Sequence, residues 1–275
     1  MKNMRQRLRF APAVLTIVLA CAALFVALGW DYDLKTVTYT LESARLDAPV
    51  RIAVLSDLHC CDYGEQQREL LDAVAIARPD FVVLPGDILD DTMPLEQGEQ
   101  VLKALVADYP CYYVSGNHDV FLADQVAALG VTVLKGTSST LTVQGQTLLI
   151  CGVEDPRGAP DFTTQLEALA AESTTTESFA LLLAHRPSRV EQYLSGKYDL
   201  ILCGHAHGGQ WRIPGVLNGL LAPDEGLFPK YAGGTYVFGD TTMIVSRGLA
   251  KESTRVPRLY NPPELVIVDL KPLSH

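Results

Sequence analysis

Five of the six histidines in this 275-residue chain stand just downstream of short apolar runs. Residues 50–56 lead into Asp57 and His59, residues 81–86 into Asp87, Asp90 and Asp91, and residues 111–116 into Asn117, His118 and Asp119. Residues 178–184 lead into His185, and residues 200–204 into His205 and His207. Short apolar runs rich in β-branched residues and bounded by turn residues read as buried strands. In an open α/β sheet the carboxyl ends of the strands form the ligand crevice. The pattern therefore gathers all these polar side chains along one edge of the fold.

The intervening sequence fits that frame. Residues 65–78 and 95–108 carry apolar side chains at near-helical spacing. The resulting β-α-β-α-β order implies a parallel sheet covered on both faces by helices. Residues 35–41 alternate like a strand. Residues 131–134, 141–143 and 146–151 read as short strands, with a turn at Gln144-Gly145, and 162–172 and 188–194 as helices. Residues 236–239, 242–246 and 264–270 close a second sheet. The expected fold is α/β, with two packed mixed β-sheets flanked by helices in one domain. Residues 208–234 are rich in glycine and proline and lack periodicity, and loops this long usually serve a site.

The first thirty residues differ in kind. Lys2, Arg5, Arg7 and Arg9 form a basic flank over 1–9, and no charge occurs over 10–30. About 20 apolar residues cross the hydrocarbon core of a bilayer, and Trp30 and Tyr32 stand where interfacial aromatics anchor a span. A retained transmembrane signal-anchor over 10–30 is expected, followed by a linker and first strand over 31–49 and the main domain over 50–275. Cleavage among the small residues of 20–29 and a lipoprotein signal at Cys21 are the alternatives. The basic flank places the amino terminus in the cytoplasm and the 50–275 domain outside it, in a single-pass cell-membrane protein.

Outside the flank, 18 basic residues face 32 acidic ones. Such a body repels phosphate backbones, so nucleic-acid partners are not expected. The six cysteines contain no C-x-x-C pair, which argues against a zinc ribbon or a thioredoxin-like site. Cys111, Cys151 and Cys203 read as small buried hydrophobes. A ligand or vicinal-disulfide role for Cys60-Cys61 is the minor reading.

Each polar cluster alone is ambiguous. Asp57-Leu58-His59 is more often a turn, Gly86-Asp87 a cap, and a lone His185 a satisfied core histidine. His205-Ala206-His207 is stronger, since an i, i+2 pair on extended backbone aims both rings the same way. The ordered combination points to metal. The series Asp57-x-His59, Gly86-Asp87-x-x-Asp90, Gly116-Asn117-His118-Asp119, His185 and Gly204-His205-x-His207 resembles the calcineurin-like metallophosphoesterases, and within them a membrane-anchored bacterial branch. The likeness extends over about residues 51–270.

That resemblance implies a ligand set. Asp57, His59 and His207 would hold one divalent ion, Asn117, His185 and His205 a second, and Asp87 would bridge them. His118 would be the acid that protonates the leaving group, with Asp90 as its carboxylate partner. Asp91 and Asp119 are read as supporting, capping or solvated groups. Mixed Asp, His and Asn donors suit Mn, Fe, Zn or Co. Two such ions about 3.5–4 Å apart neutralise phosphate charge and lower the pKa of a bridging water, whose hydroxide attacks phosphorus. Gly116 and Gly204 are expected to clear room for substrate. Arg157, Arg186, Arg212, Lys230 and Arg247 are candidate phosphate contacts, with Arg186 and Arg212 the better placed. The expected substrate is a phosphodiester or pyrophosphate, lipid-linked or in the envelope. A phosphomonoesterase or nucleotide phosphodiesterase is the alternative, and a non-catalytic scaffold is disfavoured because every ligand position is filled.

Overall fold

A computed structural model describes residues 2–251 and 256–273, with the side chains of residues 2–13 outside the described set. In chain order the regular elements are α1 (Lys2–Gly29), β1 (Lys35–Ser43), β2 (Val50–Val54), α2 (Arg68–Ala77), β3 (Phe81–Pro85), α3 (Glu96–Asp108), β4 (Cys111–Val114), α4 (Ala123–Ala128) and β5 (Thr132–Val133). They continue with β6 (Thr137–Val143), β7 (Gln146–Gly152), α5 (Phe162–Thr175), β8 (Phe179–Leu183), α6 (Val190–Tyr193) and β9 (Leu200–Cys203). The last are β10 (Leu221–Ala222), β11 (Gly226–Leu227), β12 (Gly234–Phe238), β13 (Thr241–Val245) and β14 (Glu264–Pro272).

The strands form two six-stranded sheets, ordered β1-β14-β2-β3-β4-β5 and β12-β13-β9-β8-β7-β6. Alternation within each strand explains why they stack. Ile52, Val54, Phe81 and Val83 point into a core shared with Leu148, Ile150, Leu181, Leu183 and Leu202 of the other sheet. Their neighbours Ala53, Val82 and Leu84 point the other way, into the core under α2 and α3. Leu182, Ile201 and Cys203 likewise pack beneath α5 and α6. A strand buried on both faces reads as a continuous apolar run, because either face then needs apolar side chains.

The structure departs from two expectations. The first sheet is covered by helices on one face only, since the second sheet takes the other. Both sheets are mixed, as expected: β2, β3, β4 and β5 run parallel with β14 antiparallel to β2, and β7, β8, β9 and β13 run parallel with β6 and β12 antiparallel at the edges. The expected transmembrane helix over 10–30 is also overturned. Among the described residues, no helix is long and apolar enough to cross a membrane. The part of α1 with described side chains, 14–29, is shorter than the ~20 residues a crossing takes. The rest of the expected span and the basic flank lie where side chains are outside the described set. The end of α1 is docked on the sheet domain, where the Tyr260 N–H donates to the Gly29 carbonyl at 2.7 Å and its hydroxyl to the Phe25 carbonyl at 2.9 Å.

Residues 208–234 are not wholly irregular, because β10 and β11 form a small antiparallel hairpin closed by Pro223, Asp224 and Glu225. All six cysteines are unpaired, Cys60 and Cys61 included.

Candidate metal centre

The carboxyl ends of β2, β3 and β4 in one sheet meet those of β8 and β9 in the other. Asp57 and His59 follow β2, Asp87 and Asp90 follow β3, Asn117 and His118 follow β4, His185 follows β8, and His205 and His207 follow β9. Three groups of donor atoms result, the atoms within each lying within 4.8 Å of one another: Asp57, His59 and His207; Asp87, His185 and His205; and His59, Asp90 and His118, which shares His59 with the first. Asn117 joins the second group, its Oδ1 lying 3.2 Å from His185 Nε2. Asp87 Oδ2 sits between the first two groups, 3.6 Å from His59 Nε2 and 3.1 Å from His185 Nε2.

The outer nitrogen of three rings is already occupied. His59 Nδ1 donates to Asp90 Oδ2 at 2.8 Å, His185 Nδ1 to the Pro85 carbonyl at 2.8 Å, and His205 Nε2 to Asp224 Oδ2 at 3.0 Å. Each bond sets the tautomer, so the other nitrogen turns a lone pair towards the cluster. Asp90 thus serves His59 first; His118 Nδ1 lies 3.7 Å from the same carboxylate and 3.9 Å from that of Asp91.

These residues fit cations. His59 Nε2 and Asp87 Oδ2 are buried, face each other, and have no hydrogen-bond partner. Buried polar atoms left this way cost about 1–3 kcal/mol each, more when charged, unless something binds them. Burial opposes the ionisation of Asp87, but the His185 and His59 rings outweigh it and hold the carboxyl well below its ordinary range. Burial likewise opposes charge on His185, and Asp87 overcomes it, raising the ring to about 10. Against its burial, His59 is also raised by the carboxylates, whereas burial and the neighbouring rings lower His205 and His207. Cations bound here would displace the protons that the carboxylates draw to His59 and His185.

The backbone is bent to suit. Asp57, His59, Asp87, His205 and His207 all adopt positive φ, between 46° and 67°. Each costs a non-glycine residue about 1–2 kcal/mol, and such strain collects at functional sites. Gly116 and Gly204 make room, but not for substrate as expected. A Cβ on Gly116 would lie 2.2 Å from Asp87 Oδ1, and one on Gly204 1.9 Å from Ser56 Oγ and 2.4 Å from Asp57 Oδ2. They clear space for the carboxylates themselves.

The supporting side chains were less legible. Asp119 is buried and accepts from the N–H groups of Gly116 at 2.7 Å and Ile88 at 2.9 Å, which ties the β3 and β4 loops together. Burial, reinforced by Asp87, pushes its carboxyl up to about 6. Arg157 donates to the Asn117 carbonyl at 2.6 Å. Arg186 is gripped by Asp155 through two bonds of 2.6 and 3.0 Å and also bonds Asp224. Arg212 donates to the Asn218 carbonyl at 3.0 Å and to its Oδ1 at 3.1 Å, not to any member of the cluster. Asn261 steadies the β9 loop by donating to the His207 carbonyl at 2.7 Å. Asp155, Asp224 and Asn261 belong to no metal-type spacing. Only the Pro-Asp-Glu-Gly turn around Asp224 left a local mark, and it marks a turn rather than a site.

Comparison with known proteins agrees with the geometry. The family model for calcineurin-like phosphoesterases matches residues 50–209. An uncharacterised metallophosphoesterase of Aquifex aeolicus is 30% identical over 87% of this chain and 93% of its own. The phosphodiesterase YaeI of Escherichia coli is 28% identical over 81% of this chain and 83% of its own. Among solved structures, the NAD nucleotidase NadN of Haemophilus influenzae shares the fold with a TM-score of 0.51 at 13% identity. The match covers 74% of this chain and 46% of that longer one. A family model spanning more than half the sequence and a relative matched over nearly its whole length lead to one conclusion: the chain belongs to the calcineurin-like phosphoesterases.

Proposed function

We propose that the chain hydrolyses phosphodiesters, with His118 protonating the departing oxygen. The supporting observation is a difference in exposure. The side chains of Asp57, His59, Asp87, His185, His205 and His207 are between 0% and 6% exposed, whereas that of His118 is 39% exposed. The buried side chains can hold ions but cannot reach a leaving group; His118 stands at the rim and can.

Asp57, His59 and His207 would hold one cation, Asn117, His185 and His205 the other, and Asp87 both. Bound there, two divalent ions neutralise phosphate charge and make water acidic enough to act as nucleophile near neutral pH. The chain's own residues do the rest. Asp90 fixes the His59 ring, and burial opposes its ionisation less than the bonds from His59 and Thr92 favour it, so its carboxyl is held at about 2. The His118 N–H donates to Asp87 Oδ1 at 2.8 Å, which places this histidine beside the bridging carboxylate. Its ring then gives a proton to the oxygen leaving phosphorus, a step worth about 10²–10⁴ in rate. A cavity of about 500 Å³ lined by His59, Asp90, Thr92, Met93, Gln97 and Lys251 opens beside the His59–Asp90 pair.

A diester is favoured over a monoester on charge. A diester carries one negative charge and a monoester close to two at neutral pH. Arg186, which reaches the cluster through Asp224, is already neutralised by two carboxylates. The E. coli relative described as a phosphodiesterase supports the same choice. The expectation of a lipid-linked substrate rests on the membrane anchor and the aromatic 208–234 loop, and the anchor is overturned.

The test is turnover by the metal-stripped chain reloaded with Mn²⁺. A methyl nitrophenyl diester should exceed the nitrophenyl monoester in kcat/KM by at least about tenfold, the equivalent of ~1.4 kcal/mol. The reverse order would remove the diester assignment. His118→Ala should keep its metal yet lose about 10²-fold in turnover, more for an alkoxide than for a nitrophenolate leaving group. Asp87→Asn should lose both metal and turnover.

A further inference from the structure

We propose that Asp224, at the tip of the β10–β11 hairpin, is a positioning residue that sets His205 for metal binding and clips the hairpin over the centre. The inference rests on the dinuclear reading above and deepens it. Asp224 lies far along the chain from every strand-end ligand and in no shared motif with them.

The geometry is specific. His205 Nδ1 faces the cluster, 3.1 Å from His185 Nε2, so its Nε2 points outward. That outer nitrogen donates to Asp224 Oδ2 at 3.0 Å. A carboxylate bonded there keeps the proton on Nε2, frees the Nδ1 lone pair for a cation and raises its basicity. Asp90 does this for His59 and the Pro85 carbonyl for His185. Asp224 completes the set for the third ring, but from a loop rather than from a strand end.

Asp224 is itself held. The same Oδ2 accepts from Arg186, whose other nitrogens are bound by the buried Asp155. The backbone at Asp224 has a φ of 63°, the left-handed conformation that aspartate tolerates in a turn. The hairpin is fastened to the β9 loop at its base, where the Leu220 N–H donates to the Gly209 carbonyl at 2.9 Å. Glu225 Oε2 accepts from the Lys230 N–H at 2.7 Å and closes the far side. The chain Asp155, Arg186, Asp224, His205 thus connects the β7 loop, the β8 loop, the hairpin and the metal centre.

Metal binding by the full-length, metal-stripped chain tests this without recourse to turnover. Wild type titrated with Mn²⁺ in a calorimeter should take up two equivalents. Asp224→Ala should weaken one of the two sites by about 10- to 100-fold, the usual effect of removing such a partner, and leave the other unchanged. Asp224→Asn, which keeps an acceptor oxygen but no charge, should fall between, and Asp224→Glu should restore most of the affinity. Chymotrypsin should cut Asp224→Ala at Phe228 faster than wild type. Two wild-type-like sites in Asp224→Ala would overturn the proposal. So would equal weakening of both sites together with a lower melting point of the stripped protein, which marks general damage. Fewer than two equivalents in wild type would instead refute the dinuclear reading, and would show before any substitution.

Discussion

Glycine here serves the ligands, and that can be checked one residue at a time. Gly204 follows β9 and packs where a methyl group would overlap Ser56 Oγ and crowd Asp57 Oδ2. Ser56 Oγ in turn donates to Asp57 Oδ2 at 2.6 Å, so neither neighbour can step aside without disturbing a ligand. Gly204→Ala should therefore cost about 1–3 kcal/mol, the range for overpacking a filled interior, and should weaken the site that Asp57 serves. Urea unfolding with and without Mn²⁺ separates the two effects. Wild-type stability and affinity in Gly204→Ala would show that the loop relaxes freely.

At the scale of elements, α1 meets the domain through its last turns. Gly29 is tight against the Tyr260 ring and Leu259, and the Phe25 and Tyr260 rings lie 4.8 Å apart. Most of the described apolar side chains of α1, such as Leu15, Val18 and Leu24, are exposed. The docking thus rests on a small contact, and a side chain at its centre should break it. Gly29→Leu should release α1, seen as faster chymotrypsin cleavage at Trp30 or Tyr32. The melting point of the sheet domain should move by no more than the 2–4 °C that about 1 kcal/mol represents at this size. Unchanged cleavage would mean that the contact tolerates a branched side chain.

For the whole molecule, the two sheets are joined at the centre by buried carboxylates and imidazoles drawn from both. Asp57, Asp87 and Asp90 are all buried there. A ligand that binds only the folded state at a concentration 100-fold above its Kd stabilises by about 2.7 kcal/mol. At 2–4 °C per kcal/mol for a domain this large, Mn²⁺ should raise the melting point over the chelated protein by about 5–11 °C for each site so occupied. No shift would mean that the cluster is not a metal site. Because the donors come from both sheets, the gain should appear in a single transition rather than in one half of the molecule.

Much of the centre was legible because its signals are local. A β-branched run followed by Asp-x-His or Gly-His-x-His reports both a buried strand and a donor at its end, since strand burial and the reach of a side chain depend on only a few neighbouring residues. Five such runs in order identified the edge where the donors converge, and the two-sheet α/β architecture with it. The partners that hold the donors were not legible in the same way. Asp155, Asp224 and Asn261 act across 19 to 54 residues of chain, and nothing near them in sequence records which ring or backbone they meet. The uncharged run over 10–30 shows the reverse error. Its composition pointed to a membrane span, whereas in the fold its end is docked on Tyr260. Local patterning determines which face of an element is apolar and where donors stand along it; which surface covers that face, and which carboxylate fixes each imidazole, is decided only when distant segments pack together.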